Sequence, residues 1–131
     1  LKKKYCSLIE YSTRRKKISH QDLIELFESA RIYIGASISD GISTSFLEGL
    51  VSGAYPIQTS SSCANEWVEK EFHAKIIDPG SSEVIFRALL ESVFDTEQLQ
   101  SYQAQNLRLA KKFLDRRVIK ADSLLFYSFN K

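Results

Sequence analysis

Two carboxylates and a run of hydroxyl groups lie close together in one short stretch of the sequence. Asp40 and Glu48 are separated by seven residues. The first five of these form a small, mostly polar segment that consists of Gly41, Ile42, Ser43, Thr44 and Ser45. An apolar run precedes the segment and a helical pattern follows it, so the chain is predicted to pass here from a buried strand into a helix.

This turn suits a ligand that carries both a phosphate and a polyol. The backbone N–H groups at the amino end of a helix bind phosphate, and small residues let the anion come close. Asp40 would repel phosphate at short range, but its carboxylate accepts hydrogen bonds from hydroxyl groups. Glu48, one turn into the helix, could accept them from a vicinal diol such as ribose.

Two structural interpretations of the same residues stay open. Ser45 and Glu48 fit the S-x-x-E capping box, in which Glu48 would only satisfy backbone donors. Asp40 and Gly41 fit a simple turn. A third interpretation is catalytic: residues 41–45 nearly match the G-x-S-x-G nucleophile elbow, with Ser43 as the nucleophile of a hydrolase. The final glycine of that motif is missing, and nothing in the sequence brings His73 to the serine.

The elements that position this turn alternate between strands and helices. Strands are predicted at 6–11, 31–36, 54–59 and 74–78, with Pro56 marking the start of its strand or a sheet edge. Helices are predicted after Ser19, after residue 43, from 82 to 94 and, behind a capping box at 95–98, through the remaining tail. This order predicts an α/β fold: a Rossmann-like parallel sheet with flanking helices and a helical carboxyl-terminal tail.

The length and composition of the chain predict a single domain. The chain has 131 residues, 44% of them hydrophobic, and a net charge of +2, which by itself does not indicate nucleic acid. Cys6 and Cys63 match no metal spacing and are expected to be reduced thiols of a cytoplasmic protein.

The basic cluster at 14–17 is either a solvated loop or, with the lysines at 2–4, a peripheral contact with anionic lipid at the inner face of a membrane. Trp67 is expected in the core, and His20 and His73 at the surface, since neither shows a partner pattern in the sequence.

Residues 25–60 resemble the carboxyl-terminal, nucleotide-sugar donor domain of family-4 (group 1) glycosyltransferases with the GT-B fold. That family shows an acidic residue followed by glycine, then a glutamate after seven residues in an "LEAMA-G-PVI" context. Here these are Asp40 with Gly41, and Glu48 within "LEGLVSGAYPI". Residues 63–95 resemble the family's downstream pattern more loosely. Asp40 replaces the commoner glutamate, the "GFG" of many members reads "GIS", and residues 70–73 lack the usual glycine.

The resemblance implies a retaining glycosyltransferase that moves a sugar from a nucleotide-diphosphate donor to an acceptor without an essential metal or other cofactor. Glu48 would hold the ribose hydroxyls and Asp40 the donor sugar, while the backbone of residues 41–45 would stabilise the leaving diphosphate. Surface polysaccharide or glycoconjugate synthesis is the expected pathway class.

The resemblance also implies that residues 1–131 form a partial donor-binding domain of a two-domain enzyme. The family's first two βα units, which carry a basic pair for the diphosphate, and its amino-terminal acceptor domain would lie outside this chain. The isolated chain would then be inactive, and its sheet would close a gap or pair with a second copy. The alternative is a non-catalytic Rossmann-like module for phosphate binding or protein interaction.

Overall fold

The computed structural model describes residues 17–41 and 43–129, and this part of the chain is an α/β fold with a three-stranded parallel sheet. Helices flank the sheet, and the carboxyl-terminal region is helical. The elements are α1 (His20–Ser29), β1 (Ile32–Gly35), α2 (Thr44–Val51), β2 (Tyr55–Thr59), α3 (Asn65–Val68), β3 (Lys75–Ile77), α4 (Ser82–Phe94), α5 (Thr96–Phe113) and α6 (Arg116–Phe129).

The strands predicted at 31–36, 54–59 and 74–78 are confirmed within a residue or two. The strand predicted at 6–11, Cys6 and the basic residues at 2–4 lie outside the described residues, as does all of the cluster at 14–17 except Lys17. The short helix α3 was not predicted. Within the part of the chain that the structure describes, no helix is both long and apolar enough to cross a membrane.

The sheet has the order β1-β2-β3, so β2 is its central strand. Pro56 is the second residue of β2, so the expectation that it marks the start of its strand is confirmed, and the alternative of a sheet edge is not. The backbone explains why proline is tolerated: the Tyr55 N–H donates towards β1, to Arg31 O at 3.0 Å, so the Pro56 nitrogen points the opposite way, towards β3. Because β3 pairs with β2 only from Ile57 onward, no ladder hydrogen bond is lost at Pro56.

Each face of the sheet carries its own apolar cluster. On one face, Phe46 and Leu50 of α2 pack with Phe72 and with Ala110 of α5. The other face is covered by α4 and by the first part of α5, and its cluster consists of Tyr55, Ile57, Ile77, Ala88 and Leu99. The long helix α5 thus contributes to both clusters and holds the two layers of helices in fixed relation to the sheet.

Trp67 packs against the first of these clusters, as expected. Its ring meets that of Phe72 edge to face, with the ring centroids 5.7 Å apart. This is the arrangement that two aromatic quadrupoles favour, and it adds to the apolar area that the pair buries. Trp67 therefore anchors α3 to the core.

Side-chain caps define where the helices begin. The Ser19 hydroxyl accepts a hydrogen bond from Asp22 N, and the Asp95 carboxylate accepts one from Gln98 N, each at 3.1 Å. Both caps confirm predictions from the sequence. Gly53, with φ of +95°, follows the last turn of α2, in a backbone conformation that side chains other than glycine rarely adopt.

Asn106 joins α5 to the segment that leads into β3. Its buried side chain accepts a hydrogen bond from His73 N at 2.7 Å and donates one to His73 O at 2.8 Å. The His73 ring stacks on Tyr102 with centroids 4.1 Å apart, and its Nε2 lies 2.9 Å from Gln105 Oε1. His73, predicted at the surface, is therefore half-buried and has partners that no sequence pattern indicated.

We expect Asn106→Ala to lower the free energy of unfolding by about 2–4 kcal/mol, because both His73 backbone groups lose their partner and a cavity is left. Urea denaturation measures this change. The matched control is Gln105→Ala on the exposed side of the same helix, which should cost less than about 1 kcal/mol. Equal losses in the two variants would show that the Asn106 bridge does not fix β3.

Candidate ligand-binding site

The connection between β1 and α2, residues 36–43, lies at the carboxyl edge of the sheet, where parallel α/β folds bind ligands. Helix α2 begins at Thr44, as predicted. Its N-cap is Ser43, whose hydroxyl accepts a hydrogen bond from Phe46 N at 3.3 Å. The amino end of α2, with its positive dipole, therefore faces the same edge as the end of β1.

The neighbouring connection after β2 holds this loop in place. Ser37 O accepts hydrogen bonds from the hydroxyls of Thr59, at 2.7 Å, and of Ser61. The Asp40 N–H donates to Ser61 O at 3.3 Å. The backbone of Asp40 is thus fixed by a second loop, while its side chain stays exposed on the surface of the connection.

Glu48 does not cap α2, and the capping-box interpretation is wrong. The N-cap is Ser43 rather than Ser45, so the third helical residue is Phe46 and Glu48 comes two positions later. The Glu48 side chain is 29% exposed, and its Oε1 lies 3.8 Å from Nε2 of His20 at the start of α1. The Glu48 carboxylate therefore does not close the helix end. His20 lies at the surface, as predicted, and no sequence pattern indicated its contact with Glu48.

Tyr33 is a site residue that the sequence analysis missed. Its ring is held between two helices: the Phe27 ring meets it edge to face with centroids 5.6 Å apart, and Gly49 allows α2 close enough that an added Cβ would lie 3.3 Å from Tyr33 Cγ. These contacts fix the ring within β1 and direct the phenol towards the carboxyl end of the sheet, as its contacts there show.

The Tyr33 phenol brings the predicted site residues together. Burial raises the pKa of Tyr33, and the hydrogen bond with the Ser43 side chain partly offsets this effect. The negative charges of Asp40 and Glu48 raise the same pKa further. Both predicted carboxylates therefore raise the pKa of one phenol, and the side chain of the N-cap residue of α2 lowers it.

Gln58 lies next to this phenol and was also missed. It pairs with Gly35 across the sheet, and its Oε1 lies 1.9 Å from the position that a Cβ on Gly35 would take. The Tyr33 hydroxyl lies 2.8 Å from the same position. Gln58 is 0% exposed, and neither atom of its amide has a hydrogen-bond partner among the residues that the structure describes. The sequence signal was a long polar side chain in an otherwise apolar strand.

The other predicted loop residues are placed as follows. Gly41 has open space around it, Thr44 is the exposed first residue of α2, and Ser45 is half-buried behind it. Ile42 lies outside the described residues. Cys63 is a half-buried free cysteine, and its backbone N–H donates to Gly41 O at 3.2 Å. Asp40, Ser43 and Glu48 are thus the predicted residues that influence the pKa of the Tyr33 phenol.

The hydrolase interpretation fails on geometry. His73 precedes β3 and so lies at the amino edge of the sheet, stacked on Tyr102. Ser43 lies at the opposite, carboxyl edge, and its hydroxyl caps α2. A base at the far end of the sheet cannot activate this serine.

Comparison with models of known protein families, with curated proteins and with solved structures gives no match. The resemblance to GT-B glycosyltransferases therefore stays a prediction from the sequence. In residues 17–41 and 43–129, no group of three or more histidine, cysteine, aspartate or glutamate side chains is placed to hold a metal ion.

We expect Gly35→Ala to destabilise the chain by about 1–3 kcal/mol, because the new methyl group would overlap the Gln58 amide. Adding Gln58→Ala should recover most of the loss, and urea denaturation of the single and double variants measures both. Gly41→Ala is the matched control and should change stability by less than about 0.5 kcal/mol. Additive effects at positions 35 and 58 would contradict the overlap.

We expect the Tyr33 phenol to make stability sensitive to alkaline pH. Its pKa is raised above the ordinary value of 10.0, so its contribution to stability is fully present below about pH 10 and is lost as the pH rises through the higher folded-state pKa. Tyr33→Phe should therefore flatten the fall in stability above about pH 10.

Denaturation at a series of pH values checks this expectation. Tyr127→Phe, on the exposed part of α6, is the control and should keep the wild-type pH profile. A Tyr33→Phe profile that coincides with the wild type would show that the phenol is not held in its protonated form by the fold.

Proposed function

We propose that this chain provides the donor-binding part of a retaining GT-B glycosyltransferase, which transfers a sugar from a nucleotide-diphosphate sugar to an acceptor. The observation that carries the proposal is the placement of Glu48. Its carboxylate is not used to cap α2, and it stays partly exposed on a helix whose amino end lies, with the connection that carries Asp40, at the carboxyl edge of a parallel sheet. The family resemblance of residues 25–60 gives these groups their roles.

Each group has a task that fits its chemistry. Glu48, half-buried, accepts hydrogen bonds from the ribose hydroxyls, and Asp40, on the exposed connection, accepts them from the donor sugar. The N–H groups at the start of α2 and the helix dipole stabilise the charge that develops on the leaving diphosphate. The residues of this site act by binding and by electrostatics, without a covalent intermediate on the chain.

The reaction requires parts that the resemblance assigns to chain outside these residues. Two carboxylates near the amino end of α2 offset much of its attraction for a diphosphate, so a basic pair from further βα units completes that subsite. The acceptor is held by an amino-terminal domain. Donor binding by the 131-residue chain alone is therefore weak, and turnover needs the full-length protein.

We expect Glu48→Ala in the full-length protein to reduce sugar transfer by about a hundredfold or more, with unchanged circular dichroism and melting temperature. Radiolabelled transfer assays measure the loss. The matched control is Glu25→Ala, which removes an exposed carboxylate from α1 and should leave transfer unchanged. Loss of folding at Glu48→Ala with normal specific activity in the remaining folded protein would refute the donor role.

The donor base is identified by saturation-transfer NMR with UDP-, GDP- and ADP-sugars against the same protein. Transfer of saturation to both ribose and sugar protons is the expected result for one of them. If saturation reaches the nucleoside diphosphate part but not the sugar protons, the chain is better described as a non-catalytic phosphate-binding module.

A further inference from the structure

We infer that Gln58 is a recognition residue of this site, and that its amide hydrogen-bonds to an uncharged hydroxyl of the sugar bound beneath Asp40. The inference rests on the proposed function and deepens it. It assigns a sugar-binding group that the family pattern of two carboxylates does not contain. The observation behind it is the fully buried amide without a partner among the described residues.

A buried amide in this state is unfavourable for folding. An amide removed from water without hydrogen bonds destabilises the folded chain, and the great majority of buried polar side chains are therefore paired. A leucine of similar volume would fill the same space without this penalty. A chain that keeps glutamine here and glycine at position 35 to make room for it gives up stability, which is typical of functional sites.

The position of the amide connects it to the ligand site. Gln58 is the penultimate residue of β2, and its side chain points over Gly35 at the carboxyl end of β1. The Tyr33 hydroxyl lies beside it, 2.8 Å from the position that a Cβ on Gly35 would take. The amide therefore lies at the carboxyl end of the sheet, and because it is fully buried a sugar hydroxyl reaches it only when the side chains that cover it move.

The chemistry of these groups selects the ligand group. An amide offers one acceptor and two donors, which matches a hydroxyl that both donates and accepts. A phosphate oxygen could use only the donors and would be repelled by the two carboxylates. A sugar hydroxyl is thus the group that satisfies the Gln58 amide and a neighbouring carboxylate together.

The test compares Gln58→Leu with Gln103→Leu in the full-length protein. Gln103 donates hydrogen bonds to Arg31 O at 3.1 Å and to Gly53 O at 2.8 Å, both at the amino edge of the sheet. Gln103 therefore has a structural role and is not part of the site. Gln58→Leu should keep or raise the melting temperature of the ligand-free protein, whereas Gln103→Leu should lower it by several degrees.

Binding is measured with UDP-glucose, GDP-mannose and ADP-glucose, each against its nucleoside diphosphate. Gln58→Leu should weaken the sugar-nucleotide that binds by about tenfold and leave its nucleoside diphosphate within about twofold. In the wild type, the side-chain amide signal of Gln58, assigned by triple-resonance NMR, should shift with the sugar-nucleotide and not with the diphosphate. This last readout does not depend on any variant.

Three outcomes overturn the inference. A melting temperature of Gln58→Leu that falls as far as that of Gln103→Leu would show that the amide is paired within the fold. An unchanged preference for the sugar-nucleotide, or a Gln58 signal that ignores it, would show that the amide does not contact the sugar. If the wild type binds none of the probes, the proposed function fails together with the inference. If the wild type and Gln58→Leu bind the sugar-nucleotide equally well, only the inference fails.

Discussion

The parallel pairing of β2 with strands on both sides is the constraint on which the rest of the structure depends. All five residues of β2 are buried, so both faces of the strand must be covered by helices. Parallel pairing also places the ends of β1 and β2 at the same edge, which allows the hydroxyls of Thr59 and Ser61 to hold the carbonyl of Ser37. The connection that carries Asp40 takes its shape from this edge rather than from its own sequence.

The charge distribution at this edge limits what can bind there. The negative charges of Asp40 and Glu48 raise the pKa of the partly buried Tyr33 phenol, although burial is the larger cause. The carboxylates oppose the attraction that the positive end of α2 has for an anion. In the proposed function, the hydroxyl groups of the donor are therefore expected near the carboxylates and its diphosphate at the start of α2.

The sequence predicted the strands and the capped helix starts well, because apolar runs and caps are local signals. The site was predicted less completely, since the identity of its buried residues depends on which strand positions face α2. Tyr33 and Gly35 are two residues apart in β1 and so face the same side of the sheet. The sheet register pairs Gly35 with Gln58, which brings Gln58 and Tyr33 together at Gly35. The role of Glu48 was ambiguous because the S-x-x-E capping pattern begins at Ser45, whereas the residue that caps α2 is Ser43. The partners of His73 come from α5, about thirty residues away, where no local pattern could indicate them.

The contact between Gly35 and Gln58 has a consequence for how this sequence can change. A side chain at position 35 and a long side chain at position 58 exclude each other, since the two would share one volume. A lineage that replaces the glycine must first shorten residue 58, and so must lose the buried amide before β1 can gain a side chain there. The two positions should therefore vary together, and glycine at the end of β1 marks the chains that still carry the amide.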